Sequence, residues 1–144
     1  MLGRLARWLR FAGFDTVFLP DVPDSLVAQR SREEGRWLLT RDRHLAARAG
    51  PRVVLLRSGS VVEQVAELRA RLPLAVDRTL FLTRCSVCNA RLVEVPRAEA
   101  GERVPPYVAA HAARFLSCPG CGRMYWPGSH PGRIARTLET LFLS

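Results

Sequence analysis

Two cysteine pairs constrain this chain more than any other feature. They read Cys85-Ser-Val-Cys88 and Cys118-Pro-Gly-Cys121, with 29 residues between them. Each CxxC presents two sulfurs from one tight turn, and two such turns supply the closed tetrahedral set of a structural zinc site. Gly122, directly after the second pair, suits the backbone angles on which such a turn ends. A disulfide across CxxC would close a very tight loop. A redox role calls for a thioredoxin-like strand–helix context, which neither pair has. Structural Zn2+ on Cys85, Cys88, Cys118 and Cys121 is therefore expected, because a set of four thiolates leaves no coordination position open. It would stabilise a region too poor in apolar residues to fold firmly alone.

The remainder of the chain sets other limits. At 144 residues, 48% hydrophobic and 24% charged, it suits a globular protein of one medium or two small domains. No apolar run approaches the ~18 residues of a membrane span. Arg4, Arg7 and Arg10 interrupt the first apolar segment, which makes it a poor signal peptide. A cytoplasmic protein with no membrane partner is expected. The formal net charge is +9, and every basic residue is arginine. A small protein this basic attracts polyanions, nucleic acid foremost.

Hydrophobic periodicity divides the chain into an α/β unit over 1–78 and a second unit over 79–144. Leu2, Leu5 and Leu9 lie at helical spacing and Gly13 follows as a left-handed stop. The three arginines occupy the other side of this helix, by default a solvated face. Thr16–Leu19, Trp37–Thr40 and Val53–Leu56 read as strands. Helices are expected from Asp24 to near Gly35, over His44–Ala49 and over Val61–Leu72. Such alternation implies a parallel sheet covered by helices, with sites outside the carboxyl ends of its strands. The pattern begins on a helix, and no strand feeds it. Beyond Leu80 the loops lengthen, short strands fall at Arg91–Val95, Arg114–Ser117 and Arg123–Trp126, and a helix closes the chain over Ile134–Phe142.

Thr40-Arg41-Asp42-Arg43 lies at one of those strand ends. Magnesium takes oxygen ligands, often one or two carboxylates with waters and substrate phosphate. Asp42 at a strand end and Asp24 at a helix start could converge on such an ion. Each has an equally local explanation as a helix N-cap. Asp21 is a fallback for the second acidic position, Asp15 suits a turn, and Asp77 has no evident partner. His44 and His111 read as surface residues. Tyr125 and Trp126 suit either base stacking or the core of a small ribbon.

The segments LGRLARWLRFAGFDT, EEGRWLLTRDRHLA, RCSVCNARL, RVPPYV and FLSCPGCGRMYWPGSHPGRI occur here in one order. Together they resemble the Mut-seven C-terminal RNase domain family across essentially the whole chain. The resemblance implies a PIN-like α/β nuclease domain, here N-terminally truncated, with a parallel sheet and flanking helices, followed by a small four-cysteine zinc ribbon. It implies hydrolysis of RNA phosphodiester bonds with Mg2+ or Mn2+ held by clustered acidic residues. Asp42 and Asp24 would be catalytic ligands. Arg41, Arg43 and His130 would contact the RNA, and His130 has a turn-forming role as its alternative. The family carries a strand ahead of LGRLARWLR that ends in a metal-binding aspartate, whereas this chain begins at Met1-Leu2-Gly3. The expectation is accordingly a misplaced start or a fragment, with activity uncertain. The alternative is a non-catalytic RNA-binding zinc-ribbon protein whose acidic centre is incomplete.

Overall fold

The computed structural model describes residues 2–126 and 131–144. The chain forms two compact units, Met1–Leu5 with Val17–Ala75, and Ala6–Thr16 with Val76–Ser144.

The first unit is built on a parallel strand pair. Pro23 precedes α2 (Asp24–Glu33), so Asp24 is the first helical residue and not the side-chain cap. Glu34 and Gly35 end that helix, and Gly35 takes φ +66°. Strand β1 (Leu38–Thr40) leads into α3 (Arg43–Arg48) and returns as β2 (Val53–Leu55). The two strands pair in parallel, with Leu38 opposite Val53 and Thr40 opposite Leu55. The Leu56 amide donates to the Thr40 carbonyl at 2.7 Å and carries the ladder one residue further. Ala28, Leu38, Leu45 and Ala49 form a core against which Val27 and Val53 pack. Helix α4 (Val61–Arg71) begins at Ser60, whose hydroxyl accepts from the Glu63 amide and so satisfies one of the helix's orphan donors. Its apolar stripe buries Val65 and Leu68 completely.

The expected strand over Thr16–Leu19 does not form. A strand needs a ladder partner, and the Thr16 backbone is already committed. Its amide donates to the Asn89 side chain at 2.9 Å, and its carbonyl accepts from Arg10 at 2.8 Å.

The second unit combines a discontinuous helix segment with a three-stranded antiparallel sheet. Helix α1 (Gly3–Phe11) has its residues from Ala6 onward in this unit. Gly13 stops it at φ +97°, a conformation without steric cost only for glycine. A Cβ there would also lie 2.6 Å from the Leu80 carbonyl oxygen. Asp77 has a partner after all, since it caps the 3-10 turn Arg78–Leu80 by accepting from the Thr79 amide and hydroxyl.

Strands β3 (Val93–Val95), β4 (Phe115–Ser117) and β5 (Met124–Tyr125) pair in that order. Two short helices, α5 (Arg97–Ala100) and α6 (Pro106–His111), occupy the stretch between β3 and β4 where long loops were expected. They cover Phe115 with Ala100, Val104 and Ala112, and Trp126 packs on the same cluster. Helix α7 (Pro131–Phe142) buries Leu138, Leu141 and Phe142, and the Phe142 ring lies 6.1 Å from that of Phe14. No helix among the described residues is long and apolar enough to cross a membrane.

Candidate functional site

The four cysteines form one cluster, with every sulfur within 4.8 Å of every other. Two of the separations are 3.1 Å, Cys88 to Cys118, and 3.7 Å, Cys85 to Cys121. Zinc bound at about 2.3 Å from each sulfur has tetrahedral edges of about 3.8 Å. The set therefore fits a metal such as zinc, and it is the only group of three or more potential ligands among the described residues. All four are free cysteines.

The two turns that carry them repeat one hydrogen-bond pattern. In the first, the Asn89 amide donates to the Cys85 carbonyl and the Cys85 amide to the Ala90 carbonyl. In the second, the Gly122 amide donates to the Cys118 carbonyl and the Cys118 amide to the Arg123 carbonyl. Asn89 and Gly122 close these turns at φ +72° and +78°. Cys85 and Cys118 are buried, and Cys88 and Cys121 are exposed.

Polar groups surround the sulfurs. The Tyr125 hydroxyl lies 3.1 Å from the Cys85 sulfur and accepts from the Ser86 amide at 3.2 Å. Burial raises the Cys85 pKa, but Tyr125, the amides of Cys88 and Val87, and the neighbouring Cys121 lower it more, to about 6. The Ala90 amide lowers Cys88, while Cys118, burial and the other two thiols push it up to about 12. Arg10 is not on a solvated face as expected. It is 7% exposed, and besides Thr16 it donates to the carbonyls of Ser86 and Val87 at 3.1 and 3.0 Å. Burial lowers its pKa, and Cys85, Cys88 and Asp15 act in the opposite sense. Arg4 and Arg7 are exposed.

The strand-end residues belong to the first unit. Asp42 is the N-cap of α3: its Oδ1 accepts from the amides of His44 at 2.8 Å and Leu45 at 3.2 Å. Those amides, Leu45 before His44, hold its pKa below the ordinary aspartate value. Both bonds use Oδ1, so Oδ2 takes no part in the cap. Its own amide donates to the Thr40 hydroxyl. Arg41 donates to the Arg57 carbonyl at 3.3 Å, which brings together the chain leaving β1 and the chain leaving β2. Arg43 and Asp24 are exposed. Among the described residues neither Asp42 nor Asp24 belongs to a group of three or more potential metal ligands. His130 lies outside the described residues.

Sequence reasoning passed over Arg57 and Glu67 at this edge. Glu67 accepts from the Arg57 and Ser58 amides, at 3.0 and 2.9 Å, and fixes the turn after β2. The signal was present, because Arg57-Ser58-Gly59-Ser60 follows an apolar strand as Thr40-Arg41-Asp42 does.

A small parallel sheet, flanking helices and four cysteines close enough to hold a metal such as zinc define a mixed α/β protein with a ribbon-like cysteine cluster. The Mut7-C RNAse domain family matches residues 1–138, and the chain belongs to that family. Comparison with curated proteins and with solved structures gives no match.

Proposed function

We propose that the chain is a metal-dependent ribonuclease, with a PIN-like α/β part over 1–78 and a zinc ribbon over 79–144. It would act on RNA in the cytoplasm. The observation that carries this reading is Asp42, a carboxylate at the carboxyl edge of a parallel strand pair in a chain of an RNase family. Oxygen donors of this kind suit Mg2+ or Mn2+, which need only one or two carboxylates beside waters and phosphate. When bound, such an ion polarises the scissile phosphate and makes its bound water more acidic.

The chain's own residues divide the remaining work. Asp42 keeps Oδ1 on the α3 amides and offers Oδ2 to the cation, so the cap fixes the direction of the ligand. Asp24, exposed at the start of α2, is the second acidic ligand. Arg41 and Arg43 supply guanidinium donors for phosphate oxygens, a geometry they match in pairs, and His130 is a further RNA contact. The formal net charge of +9 favours encounter with RNA at low salt.

Asp42→Asn tests this reading, because asparagine caps a helix as well as aspartate does but is a poor cation ligand. Labelled single-stranded RNA incubated with Mn2+ should be cut by the unaltered chain and not by the variant, with circular dichroism unchanged. Equal cleavage by both would remove Asp42 from the mechanism. A second reading rests on the cap itself: if Asp42 serves only α3, the chain is a non-catalytic RNA-binding zinc-ribbon protein. Tight RNA binding with no cleavage would favour it.

A further inference from the structure

The sulfur cluster has a second layer in which arginine recurs. In a trans peptide the carbonyl and the following N–H lie in one plane and point in opposite directions. Arg10 donates to the carbonyls of Ser86 and Val87, in the peptide groups whose amides lower the Cys85 pKa. Arg84 donates to the Asn89 carbonyl at 3.0 Å, in the peptide group whose amide, that of Ala90, acts to lower the Cys88 pKa. Arg103 donates to the Gly122 carbonyl at 2.8 Å, in the peptide group whose amide, that of Arg123, acts to lower the Cys121 pKa.

We propose that Arg10, Arg84 and Arg103 are positioning residues of the metal centre, each gripping a backbone carbonyl within one of the two cysteine turns. The physical reason is twofold. A guanidinium on the carbonyl polarises the peptide and makes its N–H a stronger donor, and it locks the peptide plane within the cysteine turn. A divalent ion with four thiolates carries a net charge of −2, and the arginines place three positive charges around it through the backbone rather than against the sulfurs. Groups of this outer layer tune a metal site without touching the metal. The three arginines come from different places, the first helix, the strand-like stretch before Cys85 and the turn after α5, so no single local motif encodes the layer.

The probe is Co2+ in place of zinc, bound by the full-length chain and read by its sulfur-to-cobalt charge-transfer band. Arg10→Gln, Arg84→Gln and Arg103→Gln should each shift the band and weaken Co2+ and Zn2+ binding by about 10–100-fold. Arg97→Gln is the control. Arg97 also bonds backbone carbonyls, those of Ala109 and Ala112, and it stacks on Phe115. It should lower thermal stability and leave the band where it was. An unshifted band with unchanged affinity in all three variants would overturn the proposal, as would an equal shift in Arg97→Gln. If Arg10→Gln does not fold, Arg10→Lys is read in the same way. A lysine keeps the charge but cannot span the carbonyls of Thr16, Ser86 and Val87, so an unaltered band there also counts against the proposal.

Discussion

The two cysteine turns share one backbone ladder but are supported differently. The turn at 85–90 has one near support, Arg84 on the Asn89 carbonyl, and is otherwise held from far along the chain. Arg10 grips two of its carbonyls across 76 and 77 residues, Asn89 bonds both Thr16 and Asp15, and Tyr125 bonds Ser86. The turn at 118–123 is held from nearby, by Arg103 on Gly122 and on the Ser117 hydroxyl. The residues that close the turns follow suit. Asn89 uses its side chain to anchor a distant segment, whereas the space where a Gly122 side chain would stand is empty within 4 Å. Identical local geometry can thus rest on long-range support in one copy and on local support in the other.

The largest test removes a ligand from each turn. Cys85→Ser and Cys118→Ser should both abolish stoichiometric metal binding, measured by elemental analysis of purified protein, because a tetrahedral thiolate site tolerates neither loss. Only Cys85→Ser should also free the 6–16 segment, seen as faster hydrogen exchange at the Thr16 amide. Equal exchange in the two variants would break the comparison. Next is Phe115→Ala, which empties the centre of the cluster behind the second turn, where Phe115 is 1% exposed. It should cost about 3–5 kcal/mol in denaturant unfolding of the ribbon.

Smaller effects come from the closing residues. Gly122→Ala places a Cβ at φ +78° with no neighbour to meet, so only backbone strain acts, at about 1–2 kcal/mol. Asn89→Gly relieves strain and loses two hydrogen bonds, so its damage should appear in the 6–16 segment and not in the turn. The smallest effect lies outside the ribbon and sharpens the contrast with a purely local support. The Asp42 cap is exposed, and its pKa is lowered in the folded state. Its contribution is therefore present above the ordinary aspartate pKa of about 3.9 and is lost as pH falls through the lowered folded value. Amide exchange at His44 and Leu45 should quicken in that acid range, whereas between about pH 5 and 7 the cap should hold unchanged.

Spacing and periodicity made some features legible and not others. The sulfur cluster follows from two CxxC pairs, and α1, α4 and the strand pair follow from apolar patterns that match one period. Gly13 and Gly122 take the positive φ that their positions imply. Arg10 was not legible, because a helix reading assigns charged residues to solvent and cannot know that buried carbonyls wait 76 residues on. The Thr16–Leu19 strand failed for the same reason, since propensity cannot see that Asn89 takes its amide. Helix α6 did leave a signal, as Pro106 occupies its first turn, a favoured place for proline. It spans 6 residues, too few for periodicity to register.

The discontinuity of the second unit has a consequence for how the protein is made. Arg10 leaves the ribosome long before Ser86, the residue whose carbonyl it holds, and at about 5–20 residues per second the wait is about 4–15 s. During that interval residues 17–75 can assemble their parallel pair, whose contacts are local, while the 6–16 segment has no partner. The last turn to be synthesised, 118–123, completes the ligand set. Metal capture is therefore the late event of biogenesis, whereas the bonds of Arg10 and Thr16 to the turn at 85–90 close the loop of chain that contains almost all residues of the first unit. Ordering such a loop costs entropy that grows only slowly with its length, so an insertion within residues 17–75 should burden assembly far less than a delay in metal supply.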